Sequence, residues 1–565
     1  MKEKKEVKIS LTTLIFIILL IVILAGIIIY GGFYMFTNNL LPDNDVKPEE
    51  VVVQNKVEET ETKKDVNIVT NDDNNKDKLS ITSFDLAILK EENDKTNNVH
   101  SPLSIKYALK MLEEGATGTT KEQIKTLVGT KELPKYKVSE NMSLANALFV
   151  RDTFGDSIKE EYKNTLEEKY DAEVIVDTFK SAEPVNLWVK NKTLNIIDNL
   201  LNEVDPTTNF MLVNALAIDM EWENKFFHPE GELFTSQCYM PHLDYRWYSD
   251  YYLLERTFDE NQQVSTMEVI ATIDKYDIVN EIGKDNIIKT VSDAFKAWAA
   301  GDNTHSGMSF ADMYGAENPT DEFVEEKLQT YLYGDIVNGY EVTGYLDDID
   351  SNYKQVKSTT DFEYFVDDNV KVFAKDLKEY DGTTLKYIGI MPKEENLDAY
   401  IENVTANEIN GYISSLKGIN LEDSKDNVIT EIYGTIPKFK FDKEINLLDD
   451  LKSLGVTDVF DKEKANLDNL SDAENVYIHD AVHKTDIDFN QDGIKAAAAT
   501  FLGGAGAGDP FDYLYEVPVE KIDITFDKPY IFLVVDKETS DVWFTGAVYE
   551  PLKWEDDTTR DPYDM

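Results

Sequence analysis

HDAVHKTDIDFNQDGIKAAAAT, residues His479–Thr500, runs directly into FLGGAGAGDPF, and the reading of the whole chain turns on this stretch. By propensity alone GIKAAAAT, Gly493–Thr500, is a short helix stopped by Gly503-Gly504, because alanine is the best helix former. Two ligand motifs are imitated here and neither is complete. Asp488, Asn490, Asp492 and Gly493 match the start of a calcium loop, but its twelfth position, which needs a bidentate Glu, is Ala499. GGAGAG resembles a phosphate cradle without the GK[ST] ending or a following helix. No metal site is read here, and the glycine run is read as a flexible loop.

Around this stretch lies a chain of 565 residues, 42% hydrophobic and 29% charged, enough apolar material for a sizeable core. That length allows two to four domains or one large one. Its 108 Asp and Glu against 56 Lys and Arg give a net charge of −52. Nucleic acid is excluded as a partner, since binding it needs a basic footprint, and heparin-like polyanions are disfavoured by the same argument. The single cysteine, Cys238, rules out an intramolecular disulfide and a cysteine zinc site. Six histidines form no HExxH pair and GxSxG is absent, so a metallohydrolase or serine hydrolase is not expected and no catalytic residue is assigned. No cofactor is implied.

Residues 11–36 (LTTLIFIILLIVILAGIIIYGGFYMF) carry no charge, and as a helix they would span about 39 Å, enough for a bilayer core of about 30 Å. Lys2, Lys4, Lys5 and Lys8 precede the span and Asp43, Asp45, Glu49 and Glu50 follow it. The positive-inside rule then gives a single-pass anchor in the cell membrane, with residues 1–10 cytoplasmic and the rest extracytoplasmic. Lys/Asn/Ile-rich usage suggests a bacterial source. Residues 37–80 read as a disordered acidic linker and 552–565 as an acidic tail. Between them, SFDLAILKEEN and SPLSIKYALKMLEEG read as helices, the second capped by Ser101, with Pro102 at its first position and Gly115 as its stop. NALFV, FMLVNALAI, LKYIGIM, IDITF, YIFLVV and VWFTGAV read as strands, and the absence of regular βαβ alternation makes the class α+β.

Eight strings, in order, resemble the serpin family of serine protease inhibitors. They are NNVHSPLS with GATGTTKEQI, NALFV, VNLWVKNKT, LVNALAIDMEW, IPKFKFDKEINLLDDLKSLGVTDVF, the His479–Thr500 stretch, FDKPYIFLV and WFTGAVYEP. The resemblance covers most of residues 81–228 and 356–551. It implies three β-sheets, about nine helices and an exposed reactive loop, here 493–525. It also implies that Ser101, Ser104, Asn214 and His483 meet behind the central sheet, where their hydrogen bonds hold its strands together.

In that family the Ala-rich segment inserts into the sheet as a strand, whatever its helix propensity. Gly493 is then the hinge glycine, with Ile494, Ala496, Ala498 and Thr500 facing the core and Ala497 and Ala499 between them. None of the inward positions is charged, and Ile494 replaces the usual Ser or Thr. Counting from the hinge places the bond presented to the protease at Ala507–Gly508; because the loop is about ten residues longer than usual, counting back from Phe526 would place it near Pro518–Val519. The hinge count is adopted. Ala507 suits elastase-like or subtilisin-like pockets, and Tyr513, Leu514 and Tyr515 are the runner-up bait for chymotrypsin-like ones.

Over residues 229–355 the family pattern would have roughly a hundred fewer residues; the stretch is acidic and Tyr-rich, with helix-like runs at Ile288–Ala299 and Asp321–Leu332. It reads as a surface insertion with its own small core, or else as a docking surface for an unidentified partner. The expected protein is a monomer, a membrane-tethered suicide inhibitor of an extracellular serine protease. The rival is a non-inhibitory serpin serving as a cell-surface binding or scaffold protein through its insertion and long loop.

Overall fold

The computed structural model describes residues 79–226, 257–258, 262–494 and 511–553, apart from single positions at 338, 352, 359, 395, 480, 512, 514 and 516. The expected membrane span at 11–36, Cys238, the bond at Ala507–Gly508 and the hinge residues Ala496–Thr500 lie outside them.

The most apolar strings build the largest sheet. Tyr530–Asp536 and Val542–Val548 are buried at every position, as expected of strands covered on both faces. With Leu385–Pro392, Val370–Asp376, Glu363–Val366, Lys417–Gly418 and Asn98–His100 they form a seven-stranded antiparallel sheet. One face packs Val372, Ile390 and Leu533 against Leu86, Ile401 and Ile409 of the helices Phe84–Glu91, Leu397–Asn403 and Ala406–Ser414. The other meets the main core through Tyr387, Phe532 and Phe544. The helix Pro102–Gly115 begins as its sequence indicates, Ser101 Oγ accepting from Ser104 N at 3.1 Å with Pro102 in the first turn. Gly115 is its last residue, not the stop beyond it. A Cβ there would press on Leu470 and the Tyr162 ring.

A second sheet has the order Gln355–Ser358, Thr266–Asp274, Ile429–Pro437, Val519–Asp523, the last pair parallel. Its Thr266–Asp274 strand lies within residues 229–355 and pairs along the full length of Ile429–Pro437. The added helices are Ile278–Ile282, Lys284–Ala299, Phe310–Tyr314, Asp321–Tyr333 and Tyr345–Ser351, placed between two strands of this sheet. They enclose their own core, with Ile287, Val291, Phe295 and Trp298 forming the buried stripe of Lys284–Ala299. The described residues hold thirteen α-helices where about nine were expected, and these five account for the excess.

The third sheet is in two pieces. Glu173–Asp177, Met142–Arg151 and Phe210–Ile218 form one; Phe439–Asn446, Val482–Phe489, Gly493–Ile494 and Met220–Glu221 form the other. Phe210–Ile218 and Met220–Glu221 are consecutive in the chain, so the pieces meet at one end. Below that junction no ladder joins Phe210–Ile218 to Val482–Phe489 among the described residues.

Candidate functional site

The gap between those two strands is the feature to explain. At its closed end Gly493 and Ile494 are wedged between strands, Gly493 opposite Glu221, and Ile494 opposite Met220 on one side and Phe489 on the other. Only glycine fits the first position, since a Cβ would run into the Met220 carbonyl oxygen. The Ile494 side chain is 2% exposed and belongs to the main core. The first two residues of GIKAAAAT are therefore strand, not helix: pairing with Met220 and burial of one isoleucine outweigh local propensity.

Trp222 holds this junction, a role that was not read from the sequence. Its ring is buried edge-on against Phe226, Phe489 and Tyr387 at centroid distances of 5.5, 5.5 and 6.1 Å. Trp222 Nε1 donates to the Asn490 carbonyl at 2.9 Å and its backbone N–H to the Asp492 carbonyl at 3.1 Å. The Lys375 ammonium lies 5.2 Å from the Phe226 ring centre, and burial lowers its pKa to about 8. The calcium-like residues are occupied in the same turn. Asp488 pairs with Lys440 at 2.8 Å and accepts from Asn490 Nδ2 at 3.0 Å, while Asn490 Oδ1 accepts from Asp492 N.

Halfway down, one hollow is lined by Ser101, Ser104, Asn214 and His483, the four residues expected to cluster. Their bonding differs from the expectation in detail. Ser101 N donates to His483 Nε2 at 3.0 Å, and the Thr485 hydroxyl reaches the same nitrogen at 2.9 Å. Nε2 thus accepts, and the ring proton sits on Nδ1. Ser104 enters through its backbone N–H to Ser101 Oγ. Asn214 does not reach His483; its Nδ2 donates to Asn146 Oδ1 at 2.7 Å, directly opposite it in the ladder. Asn214 Oδ1 is buried without a partner among the described residues. Further down, a larger cavity between Phe210, Leu212, Leu112, Leu451, Val476 and Ile478 continues the line of the gap. Tyr513 and Tyr515, the described members of the runner-up bait, lie against the core of the added helices.

Burial lowers the pKa of His483 to about 4, and that of neighbouring His100, whose ring nitrogens have no partner among the described residues, to about 3. Imidazoles in the unfolded chain titrate near 6.5, so below that pH the unfolded state binds protons the folded state refuses. Their stabilisation is complete above about pH 6.5 and is lost as pH falls towards 4. His483 alone accounts for about 3 kcal/mol of this at pH 4. Buried Glu431, with its pKa raised to about 7, works in the opposite direction, so the informative comparison is between variants. The urea midpoint of wild type should fall more steeply from pH 6.5 to 4 than that of His483→Gln; equal slopes would remove the titration from His483.

A family model, "Serpin (serine protease inhibitor)", matches residues 79–235 and 351–551, more than half of the chain. The gap between the two matched parts contains the added helices. Neuroserpin of Mus musculus is 25% identical over 477 residues, 80% of this chain and 86% of that protein. Leukocyte elastase inhibitor A of Mus musculus is 23% identical over 482 residues, 81% and 95% respectively. A serine protease inhibitor of Cyanea capillata is 28% identical over 207 residues, which is 36% of this chain and about half (49%) of that protein. Among solved structures, the thermophilic serpin tengpin in its native state superposes with a TM-score of 0.51 at 21% identity, covering 86% of this chain and 96% of that one. The α+β fold, with its third sheet split and Gly493–Ile494 paired in the split, agrees with that match, and the chain belongs to the serpin family.

Proposed function

We propose that this chain inhibits serine proteases as a suicide substrate, displayed outside the cell membrane on the 11–36 anchor. The observation that carries the reading is the position of Gly493–Ile494, already seated as the first residues of a strand at the top of an open gap. A target's serine attacks the Ala507 carbonyl, the bond to Gly508 breaks, and the new amine leaves with the Gly508 side. The acyl-enzyme then hydrolyses unless the freed segment first zips into the gap. Several features favour zipping. Ile494, Ala496, Ala498 and Thr500 face inward without charge, so burying them carries no ion desolvation penalty. The unpartnered Asn214 Oδ1 is an acceptor ready for a donor of the arriving strand. Once the strand is in, its backbone has ladder partners on both sides.

Specificity follows from Ala507 in a segment with no Lys or Arg between Lys495 and Lys521, which favours elastase-like or subtilisin-like enzymes over trypsin-like ones. Similarity to a leukocyte elastase inhibitor agrees with that choice. Mixing the full chain in detergent with an elastase and with a subtilisin should give a complex that survives denaturing gels, with mass spectrometry placing the cut at Ala507–Gly508. Quantitative cleavage with no such complex would transfer the protein to the binding or scaffold class.

A further inference from the structure

The added helices are built around the reactive loop. Phe511 is 1% exposed and lies inside their core, its ring centre 5.0 Å from Phe295, 5.1 Å from Trp298 in a stacked pair, and 5.2 Å from Tyr331. Its backbone bridges to Ser306 in the connection before Phe310–Tyr314. Two residues on, the Tyr345 hydroxyl donates to the Tyr513 carbonyl at 2.8 Å, and the His305 ring lies 4.7 Å from the Tyr513 ring. Tyr515 donates its hydroxyl to the Ile287 carbonyl at 3.3 Å, and Val517 packs on the same core. Contacts from four of the inserted segments thus converge on alternate residues of one short stretch.

We propose that the inserted subdomain is a specificity element that pins the C-terminal side of the reactive loop, withholding the bonds after Tyr513 and Tyr515 from proteases and leaving Ala507–Gly508 as the bond offered. A protease takes its substrate as an extended strand, with several residues on each side of the bond in its cleft. A bond after Tyr513 would need Phe511 drawn out of an aromatic core and the Tyr513 carbonyl freed from Tyr345. The bond at Ala507–Gly508 needs neither, because Gly508, Asp509 and Pro510 separate it from Phe511. The pinned stretch also accounts for most of the additional loop length, leaving 16 residues between Ile494 and Phe511. The inference rests on the reading of this loop as protease bait.

The test is limited proteolysis of the full chain in detergent by chymotrypsin, with each cut timed by mass spectrometry. In Phe511→Ala, cuts after Tyr513 and Tyr515 should appear at least about tenfold faster than in wild type. Tyr345→Phe leaves the aromatic core filled and removes only the hydroxyl, so the cut after Tyr513 should quicken severalfold at an unchanged unfolding temperature. Wild type cut after Tyr513 or Tyr515 as fast as Phe511→Ala, or Tyr345→Phe indistinguishable from wild type, would overturn the proposal. The same preparations mixed with elastase separate this from the parent reading. Protection without a covalent complex removes the inhibitor and keeps the pinned loop; a complex without protection does the reverse.

Discussion

Ile494→Glu should reduce the yield of covalent complex by about 100-fold while the loop is cut as fast as before. The wild-type side chain is buried between Met220 and Phe489 at the point where the strand starts. An unpaired carboxylate placed there must be neutralised or dehydrated, which costs several kcal/mol. In the proposed mechanism the acyl-enzyme is partitioned between insertion and hydrolysis, and each 1.4 kcal/mol added to the barrier of one branch shifts that partition about tenfold. A penalty of about 3 kcal/mol therefore turns most encounters into ordinary cleavage. The hinge can remain outside the sheet in the intact variant, so its fold should survive. Ile494→Thr, which restores the family's usual residue, should inhibit at least as well as wild type. Densitometry of complex against cleaved product reads both variants, and an Ile494→Glu protein with wild-type yield would show that burial of residue 494 is not needed for trapping.

Trp222→Ala should lower stability by about 3–5 kcal/mol, the range for removing a large buried aromatic side chain. Three rings pack on Trp222, and its indole N–H satisfies the Asn490 carbonyl in the turn that leads to the hinge. Trp222→Phe keeps ring contacts but removes that hydrogen bond, and should cost about 1 kcal/mol. Urea unfolding of the three proteins gives the order directly. An alanine variant within 1 kcal/mol of wild type would mean that this cluster does not hold the junction.

What the sequence disclosed depended on whether a feature is local. Continuous apolar runs such as YIFLVV and VWFTGAV announce strands buried on both faces, and Ser101-Pro102 announces a helix start. The hinge is the opposite case. Gly493-Ile494 is strand because of Met220, Glu221 and Phe489, none of which a propensity scale sees, and only the family resemblance pointed there. The same limit explains Asn214, whose partner Asn146 is set by the register between two strands 68 residues apart. Thr266–Asp274 was assigned to the insertion because acidic, Tyr-rich sequence surrounds it; its ladder with Ile429–Pro437 is not visible in one dimension. Two helices of the insertion were legible from their periodicity. Their contact with Phe511 was not, since it joins residues that are about 200 positions apart and share no motif.

In the proposed mechanism the intact protein holds an unfilled strand position that its own loop completes. The most direct test is the unfolding temperature of the full chain before and after the loop is cut at Ala507–Gly508. A rise of at least about 10 °C is expected, the equivalent of several kcal/mol gained when the strand enters the gap beside Asn214 and His483. A cut protein that unfolds at the same temperature as the intact one, or below it, would mean that the loop does not enter the gap.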